Sequence, residues 1–371
     1  MFQGGTYAEG PLLTGEQTTS VEPLVKRNVR LTWVDSAKGV SIFLVVLVHA
    51  TSWLRDLGPV SQGLALFNGI FGDLRMPLFM CMAGFFASKW VDSSWRRLFS
   101  GKLSLLIWVY LIWQPLFFVA KYAAGIFMDG QDHTSLAAQA LRMAVSPLRP
   151  NGETWFLWAL AIYFVAAKLL SRVPTWWHLV VAGLVSVAWE YFAVQRISPD
   201  MASILGIGIL SVVHLYFFFA FGLLCRNLIA TSVAKVGQMG ALIVLVAWLA
   251  VTVLATQAGW RVLPAFPFVL DFFGMCAGIG IGLLLAKWRP LNNLGGNTLQ
   301  VYVAHVPLLI VLALLLTAFG FSWHSNVVGT LAPIVAAIIV TAVALVLHRW
   351  AGAGALKYLY DRPQWFEFRG R

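Results

Sequence analysis

Apolar residues fall into ten blocks along this chain, separated by short polar or basic connections. The blocks lie near residues 36–54, 66–88, 103–120, 154–170, 176–194, 203–224, 238–257, 267–286, 299–318 and 327–348. About twenty residues at a helical rise of 1.5 Å cover a hydrocarbon layer of roughly 30 Å. A single run in lipid satisfies its own backbone only as a helix. The pattern predicts an all-α polytopic membrane protein with about ten transmembrane helices. The fourth block is short, as if it ended early or lay partly in the interface. Residues 1–30 are polar and hold no apolar core. They are expected to be a flexible tail without a cleavable signal peptide, so that the first span is its own insertion signal. Residues 31–350 then form one transmembrane domain and residues 351–371 a basic tail.

Composition strengthens this picture. Of 371 residues, 60% are hydrophobic and 11% charged, against about 25% charged in soluble domains. The net charge of +11 does not indicate nucleic acid. Its Lys and Arg residues cluster in the connections, where they act as topology signals and headgroup contacts. With the N-terminus placed inside, 19 of the 26 basic residues fall on the inner side and six on the outer side, and Arg75 lies within the second span. This asymmetry predicts that both termini are cytoplasmic and that the protein is a multi-pass component of the inner membrane. The three cysteines, Cys81, Cys225 and Cys276, lie in apolar segments without pairing or metal-ligand spacing. The longest connection, about 121–153, is expected outside and carries Asp129, Asp132, His133 and Glu153. The inner loop KWVDSSWRRLFSGK (89–102) reads as an interfacial anchor, or as an attractor for an anionic cytosolic ligand.

The chemistry begins in the first block, DSAKGVSIFLVVLVHA. Lys38 and His49 are eleven positions apart, which overshoots three helical turns by only about 20° and separates them by about 16 Å along the axis. They share one helix face, with Lys38 at the cytosolic end and His49 in the outer half. Snorkelling alone would explain Lys38, whereas an ionisable residue inside a span is a functional hypothesis by default. A cation at the cytosolic end suits a phosphorylated carrier. An imidazole deeper on that face would meet the end of the carrier's arm, with a pKa fit for taking a hydroxyl proton.

Further residues carry two readings each. Arg75 needs a partner, so an ion pair with Asp73 competes with substrate binding. Glu153, at the outer start of the fourth span, either orients His49 or complements a helix start. Asp35 is expected to cap the first helix. His305 is a second functional histidine or a packing residue beside Pro307, with Tyr302 one turn away. Glu190 and Asp271 are candidate acceptor contacts. His133, His178, His324 and His348 are expected to be solvated. Trp33, Trp53, Trp90, Trp176, Trp177, Trp288 and Trp350 fit an interfacial belt, and Trp53 and Trp155 could stack on a sugar. No metal-ligand cluster appears, so no metal is expected.

Four segments resemble the acyltransferase-3 family of integral membrane O-acyltransferases. DSAKGVSIFLVVLVH is similar to its opening helix, where Arg or Lys lies eleven residues before a His. RMPLFMCMAGFF (75–86) resembles its second helix, with Ala83 where Ser is commoner. ETWFLWAL (153–160) resembles its Trp-Phe-Leu element, and GNTLQVYVAHVPLL (296–309) its late Tyr and His-x-Pro helix. The segments occur in the family's order.

The resemblance implies transfer of an acyl group, usually acetyl from acetyl-CoA, to a hydroxyl of an envelope glycan or glycolipid; trehalose mycolates are one such acceptor class. His49 carries over as base or acyl relay, and Lys38 as the donor-side cation, although Lys is less suited than Arg to bidentate phosphate contacts. Tyr302 and His305 would join the donor site, Glu153 the catalytic group, and Asp73, Arg75 and Trp155 the substrate site. Expected partners are membrane lipids and the acceptor, with a second copy of the chain or an envelope-synthesis complex as the candidate protein partner. Two other classes compete: a proton-coupled transporter or lipid flippase using His49 and Asp271, and a non-catalytic scaffold. The Lys38–His49 spacing and the ordered motifs favour the enzyme, and the lack of an evident inverted repeat weighs against a transporter.

Overall fold

The computed structural model describes residues 31–128, 135–150, 152–195, 197–352 and 354–367. Residues 1–30, with Lys26, Arg27 and Arg30, lie outside the described residues. So do Asp129, Asp132, His133, Arg196, Arg369 and Arg371.

Ten long helices occupy the expected blocks. They are α1 (Thr32–Leu54), α2 (Gly72–Phe85), α3 (Ser104–Phe127), α4 (Trp155–Leu169), α5 (Thr175–Gln195), α6 (Pro199–Leu224), α7 (Arg226–Gln257), α8 (Phe266–Leu284), α9 (Thr298–Ala318) and α10 (Asn326–Trp350). Among the described residues there is no strand, and nine segments are long and apolar enough to cross a membrane. The segment expected as the fifth span, α5, is helical but is not one of those nine. The chain is an all-α polytopic membrane protein.

Several boundaries differ from the apolar blocks for local reasons. The second span is two helices, Gln62–Ile70 and α2, joined at Phe71. Two long helices are interrupted at left-handed glycines, α6 at Gly206 (φ 74°) and α7 at Gly237 (φ 61°), a conformation that costs glycine little. The block at 238–257 is the part of α7 beyond its break. α3 continues past the expected end at 120 to Phe127, so Lys121 is helical rather than part of a loop. Within the long connection, Leu136–Ala144 is a further helix, capped by the Ser135 hydroxyl, which accepts the Ala138 N–H at 3.2 Å.

α1 is the hub. It packs against α2, α8, α9, α10 and the short helix Arg289–Gly296. Small residues let backbones approach closely there. Gly39 lies against the Leu291 carbonyl, Gly295 against the Asp35 carbonyl, and Gly282 of α8 against Trp33 and Ala37. The polar groups of α1 find partners on its neighbours. Ser36 donates to the Leu285 carbonyl at 2.9 Å or to Asn292 Oδ1 at 2.5 Å, and Ser41 donates to the Arg75 carbonyl at 2.5 Å.

Some expectations are corrected. α1 begins at Thr32, so Asp35 lies within its first turn rather than at its cap, 3.8 Å from Lys38. Trp33 and Trp53 are buried, while Trp176, Trp177, Trp288 and Trp350 are exposed as a belt requires. His178 is not solvated. It is buried, with Nε2 2.9 Å from the Tyr216 hydroxyl. The C-terminal segment packs back onto α3. The indole N–H groups of Trp108 and Trp113 donate to the Tyr358 and Leu359 carbonyls, each at 2.7 Å, and Tyr360 is buried.

α2 and α6 also meet through glycines, with Gly84 against the Phe219 carbonyl and Gly222 against the Cys81 carbonyl. A side chain at either position would collide with backbone, which cannot move aside as a flexible side chain can. Gly84→Val and Gly222→Val are each expected to destabilise the protein by about 2–3 kcal/mol. Gly63→Ala, with nothing within 4 Å, should leave thermal unfolding in detergent unchanged.

Candidate functional site

Lys38 and His49 of α1 each belong to a cluster of polar and aromatic groups. At the Lys38 end is a cavity of about 300 Å³. Lys38, Lys89 and Lys102 line it with Phe86, Trp90 and Phe164, and its inner end is formed by Phe79, Phe156 and Tyr302. Each ammonium lies by an aromatic ring: Lys38 is 5.8 Å from the Phe86 centroid, Lys89 5.0 Å from Trp90 and Lys102 5.5 Å from Phe164. Among the described residues no carboxylate lines this cavity.

The loop bearing Lys89 and Trp90 is fixed from two sides. Lys168 of α4 donates to the Val91 and Ser93 carbonyls at 2.7 and 2.5 Å, and Arg226 donates to the Ser88 hydroxyl at 2.5 Å. Lys102 sits in a wide π-helical turn, Phe99–Leu103, just before α3, a distortion that recurs at functional sites. Sequence reading identified Lys38 and recognised the loop as basic, but only packing shows Lys89 and Lys102 converging with it.

Beyond Tyr302 lie two histidines. Tyr302 and His305 are one turn apart on α9, so both project from one side of it. The Tyr302 hydroxyl accepts the Phe156 N–H at 3.1 Å and donates to the Glu153 carbonyl. Phe156 is in the first turn of α4, where backbone N–H groups lack helical partners, so this phenol ties α9 to the start of α4. Gln114 adds a bond from α3 to the Thr154 hydroxyl at 3.1 Å. His305 is fully buried, and its ring lies 5.2 Å from that of the half-buried His49, tilted by 50°. His305 Nδ1 is 2.5 Å from the Tyr302 carbonyl. A carbonyl only accepts, so Nδ1 carries the proton and Nε2 presents a lone pair. That Nε2 is buried without a hydrogen-bond partner, a condition that costs about 1–3 kcal/mol.

Glu153, expected to act on His49, points its carboxylate at Lys121 of α3, at 2.7 Å. Its field, with those of Arg75 and Lys121, still reaches His49. Asp73 and Arg75 do not pair with each other. Asp73 holds Arg261, from the segment between α7 and α8, through two bonds of 2.9 and 2.6 Å. That bonding raises the Arg261 pKa above its ordinary value. Arg75 donates to the Asn68 carbonyl at 3.1 Å. Trp155 is buried beside Phe156, with ring centroids 6.5 Å apart, and is not part of the cavity wall. Asp271 faces His214 at 3.9 Å, and Glu190 lines a small pocket with Arg261. The structure thus brings Tyr302, His305, His49 and Glu153 near one another, puts Lys38 on the wall of a cavity that Tyr302 also lines, and leaves Asp73 and Trp155 engaged elsewhere. Among the described residues no group of three or more His, Cys, Asp or Glu side chains is placed to hold a metal.

A family model described as an acyltransferase domain matches residues 31–349. The chain belongs to the acyltransferase-3 family. Curated relatives in this comparison include the inner membrane protein YcfT of Escherichia coli (strain K12), 24% identical over 38% of this chain and 44% of the relative. The nodulation protein NolL of Mesorhizobium japonicum is 25% identical over 42% of this chain and 40% of its own. NolL of Sinorhizobium fredii is 29% identical over 37% and 36%. The chain thus spans about two-fifths of the length of the curated relatives it matches. No solved structure matches. The matched region of this acyltransferase-3 member includes α1, the lysine-rimmed cavity and both site histidines.

The Lys121–Glu153 pair is mostly buried, with 19% and 17% of the two side chains exposed. Removing one partner strands the other charge. Lys121→Met is expected to destabilise the protein by about 3 kcal/mol in denaturant titration, and adding Glu153→Gln should restore most of the loss.

Proposed function

We propose that this protein is a membrane O-acyltransferase that moves an acetyl group from acetyl-CoA to a hydroxyl of an envelope glycan or glycolipid, with His49 as the general base. The observation that carries this reading is that Tyr302 lines an aromatic-walled cavity with three lysines and also stands beside the histidine pair. Three ammonium groups on one cavity wall, with Asp35 3.8 Å from Lys38, favour a ligand with several phosphates, and Phe86 and Trp90 offer faces for a purine. A narrow pantetheine-like arm from such a headgroup would run inward along Phe79 and Phe156 to Tyr302, bringing its thioester toward His49. The charge asymmetry of the connections supports cytoplasmic termini and, with them, a lysine rim on the side where acyl-CoA is available. The acceptor then meets His49 from the opposite side. That YcfT is described as an inner membrane protein supports the inner membrane for this chain too. Glycolipids of the trehalose mycolate type are acceptors of the expected chemistry.

In this mechanism His49 takes the proton of the acceptor hydroxyl as its oxygen attacks the thioester carbonyl. The carbon–sulfur bond breaks with its electron pair on sulfur, and the proton returns to the thiolate. Glu153 favours the transient imidazolium through its field. Tyr302 positions the arm and holds α9 to α4. Arg75 and Asp73 belong to the acceptor side, with Trp155 as packing behind it.

Purified protein in nanodiscs with radiolabelled acetyl-CoA and a glycolipid extract tests this. His49→Ala should lower label transfer by about 100-fold or more at unchanged thermal stability, and equal transfer by the variant sinks the role of His49. Lys38→Ala and Lys102→Ala should each raise the donor KM by roughly tenfold, as expected for one charge-assisted contact, with kcat little changed. An effect confined to acceptor affinity would contradict the donor assignment.

A further inference from the structure

His49 makes no hydrogen bond among the described residues, although a base that must show its lone pair to a substrate needs its other nitrogen held. The carboxylate closest in role, Glu153, is engaged by Lys121 at 2.7 Å. The charged groups whose fields reach His49 are Glu153, Arg75 and Lys121, and its packed aromatic neighbour is His305. His305 has one bare nitrogen, because Nδ1–H is committed to the Tyr302 carbonyl and Nε2 is buried without a partner.

The ring separation of 5.2 Å has a simple meaning. An in-line N–H···N bond of about 2.9 Å, with each ring centre roughly 1.1 Å behind its nitrogen, puts two imidazole centres at about this distance. Nε2 of His305 has no partner in this conformation, so the two ring nitrogens are not aligned here, and rotation of the half-buried His49 about its side-chain bonds would align them.

We infer that His305 is the positioning residue for His49, accepting on Nε2 the His49 ring N–H that faces α9 and so holding the other His49 nitrogen bare for the acceptor hydroxyl. This rests on the acyltransferase reading and assigns His305 to the proton side of the reaction rather than to donor binding. The balance of the step is unchanged. His49 gains the hydroxyl proton on its bare nitrogen, the resulting imidazolium shares its second N–H with His305 Nε2, and the added proton leaves to the thiolate. A neutral partner can fill this role because the positive charge of the imidazolium is shared between two rings.

Two substitutions separate this role from a structural one. His305→Asn keeps a donor for the Tyr302 carbonyl but has no acceptor at the Nε2 position, whereas His305→Gln can place its amide oxygen there. Solid-state nitrogen NMR of full-length, histidine-labelled protein in nanodiscs, assigned by difference with His49→Ala and His305→Asn, reads the tautomers directly. The expected result is a protonated Nδ1 and bare Nε2 on His305, with a single tautomer for His49. His49 should split into both tautomers in His305→Asn and return to one in His305→Gln. In the acetyl-CoA and glycolipid assay, His305→Asn should lose about 100-fold in kcat with donor KM within about twofold, and His305→Gln should recover a substantial part.

A His305 protonated on Nε2 in the unsubstituted protein overturns the proposal, even if His305→Asn fails to fold. So does an unchanged single His49 tautomer in His305→Asn, or a folded His305→Asn with undiminished kcat. Absence of label transfer by the unsubstituted protein would instead sink the acyltransferase reading, while the tautomer result still decides the pairing of the two rings.

Discussion

The close burial of α1 is the constraint on which the rest of this structure depends. A spanning helix at the edge of a bundle can tilt or slide, and its polar residues then choose their own depth. α1 cannot, because Gly39, Gly282 and Gly295 bring its backbone and those of its neighbours close together, and Ser36 and Ser41 are bonded to carbonyls on other segments. Lipid offers no gain from burying apolar surface between helices, so such close packing and interhelical hydrogen bonds supply the association energy. The lysine and histidine of α1 therefore stand at fixed heights. One is at the rim of the cavity and the other is against His305.

The same demand for internal partners explains how the site is held. In the hydrocarbon region every donor must be answered by protein. Tyr302 answers an orphan N–H at the start of α4 and in turn donates to the Glu153 carbonyl. Lys121 answers the Glu153 carboxylate. The satisfied groups make a rigid frame across α3, α4 and α9. Beside this frame Nε2 of His305 is left unanswered, as is Oε1 of Gln114 within it.

Much of the fold was legible in the order of apolar and polar residues, since a helix that crosses lipid must declare itself within its own sequence. Breaks at Gly206 and Gly237 were not, because a glycine reads the same in a straight helix as at a kink. The Lys38–His49 register followed from helical arithmetic, and the relation of Tyr302 to His305 from their spacing of three. Partnerships across the bundle were beyond that arithmetic. Asp73 suggested Arg75, two positions away, yet its partner is Arg261. The loop of Lys89 and Lys102 read equally as an interfacial anchor or as an attractor for an anionic ligand, and the convergence of its lysines on Lys38 depends on how that loop is bonded to α4. His178 looked solvated because it stands near a helix end, where Tyr216 from another helix covers it.

The C-terminal segment adds a temporal dimension. Trp108 and Trp113 on α3 have indole N–H groups that are answered by the Tyr358 and Leu359 carbonyls, 250 and 246 residues further along the chain. During synthesis α3 enters the bilayer long before those carbonyls exist. The two indoles must wait, solvated by headgroups or provisional contacts, until residues 358 and 359 have been made. The seam on α3 is thus closed late, as a drawstring closes a bag, and a chain stalled just before Tyr358 would hold the ten helices described yet leave that seam open.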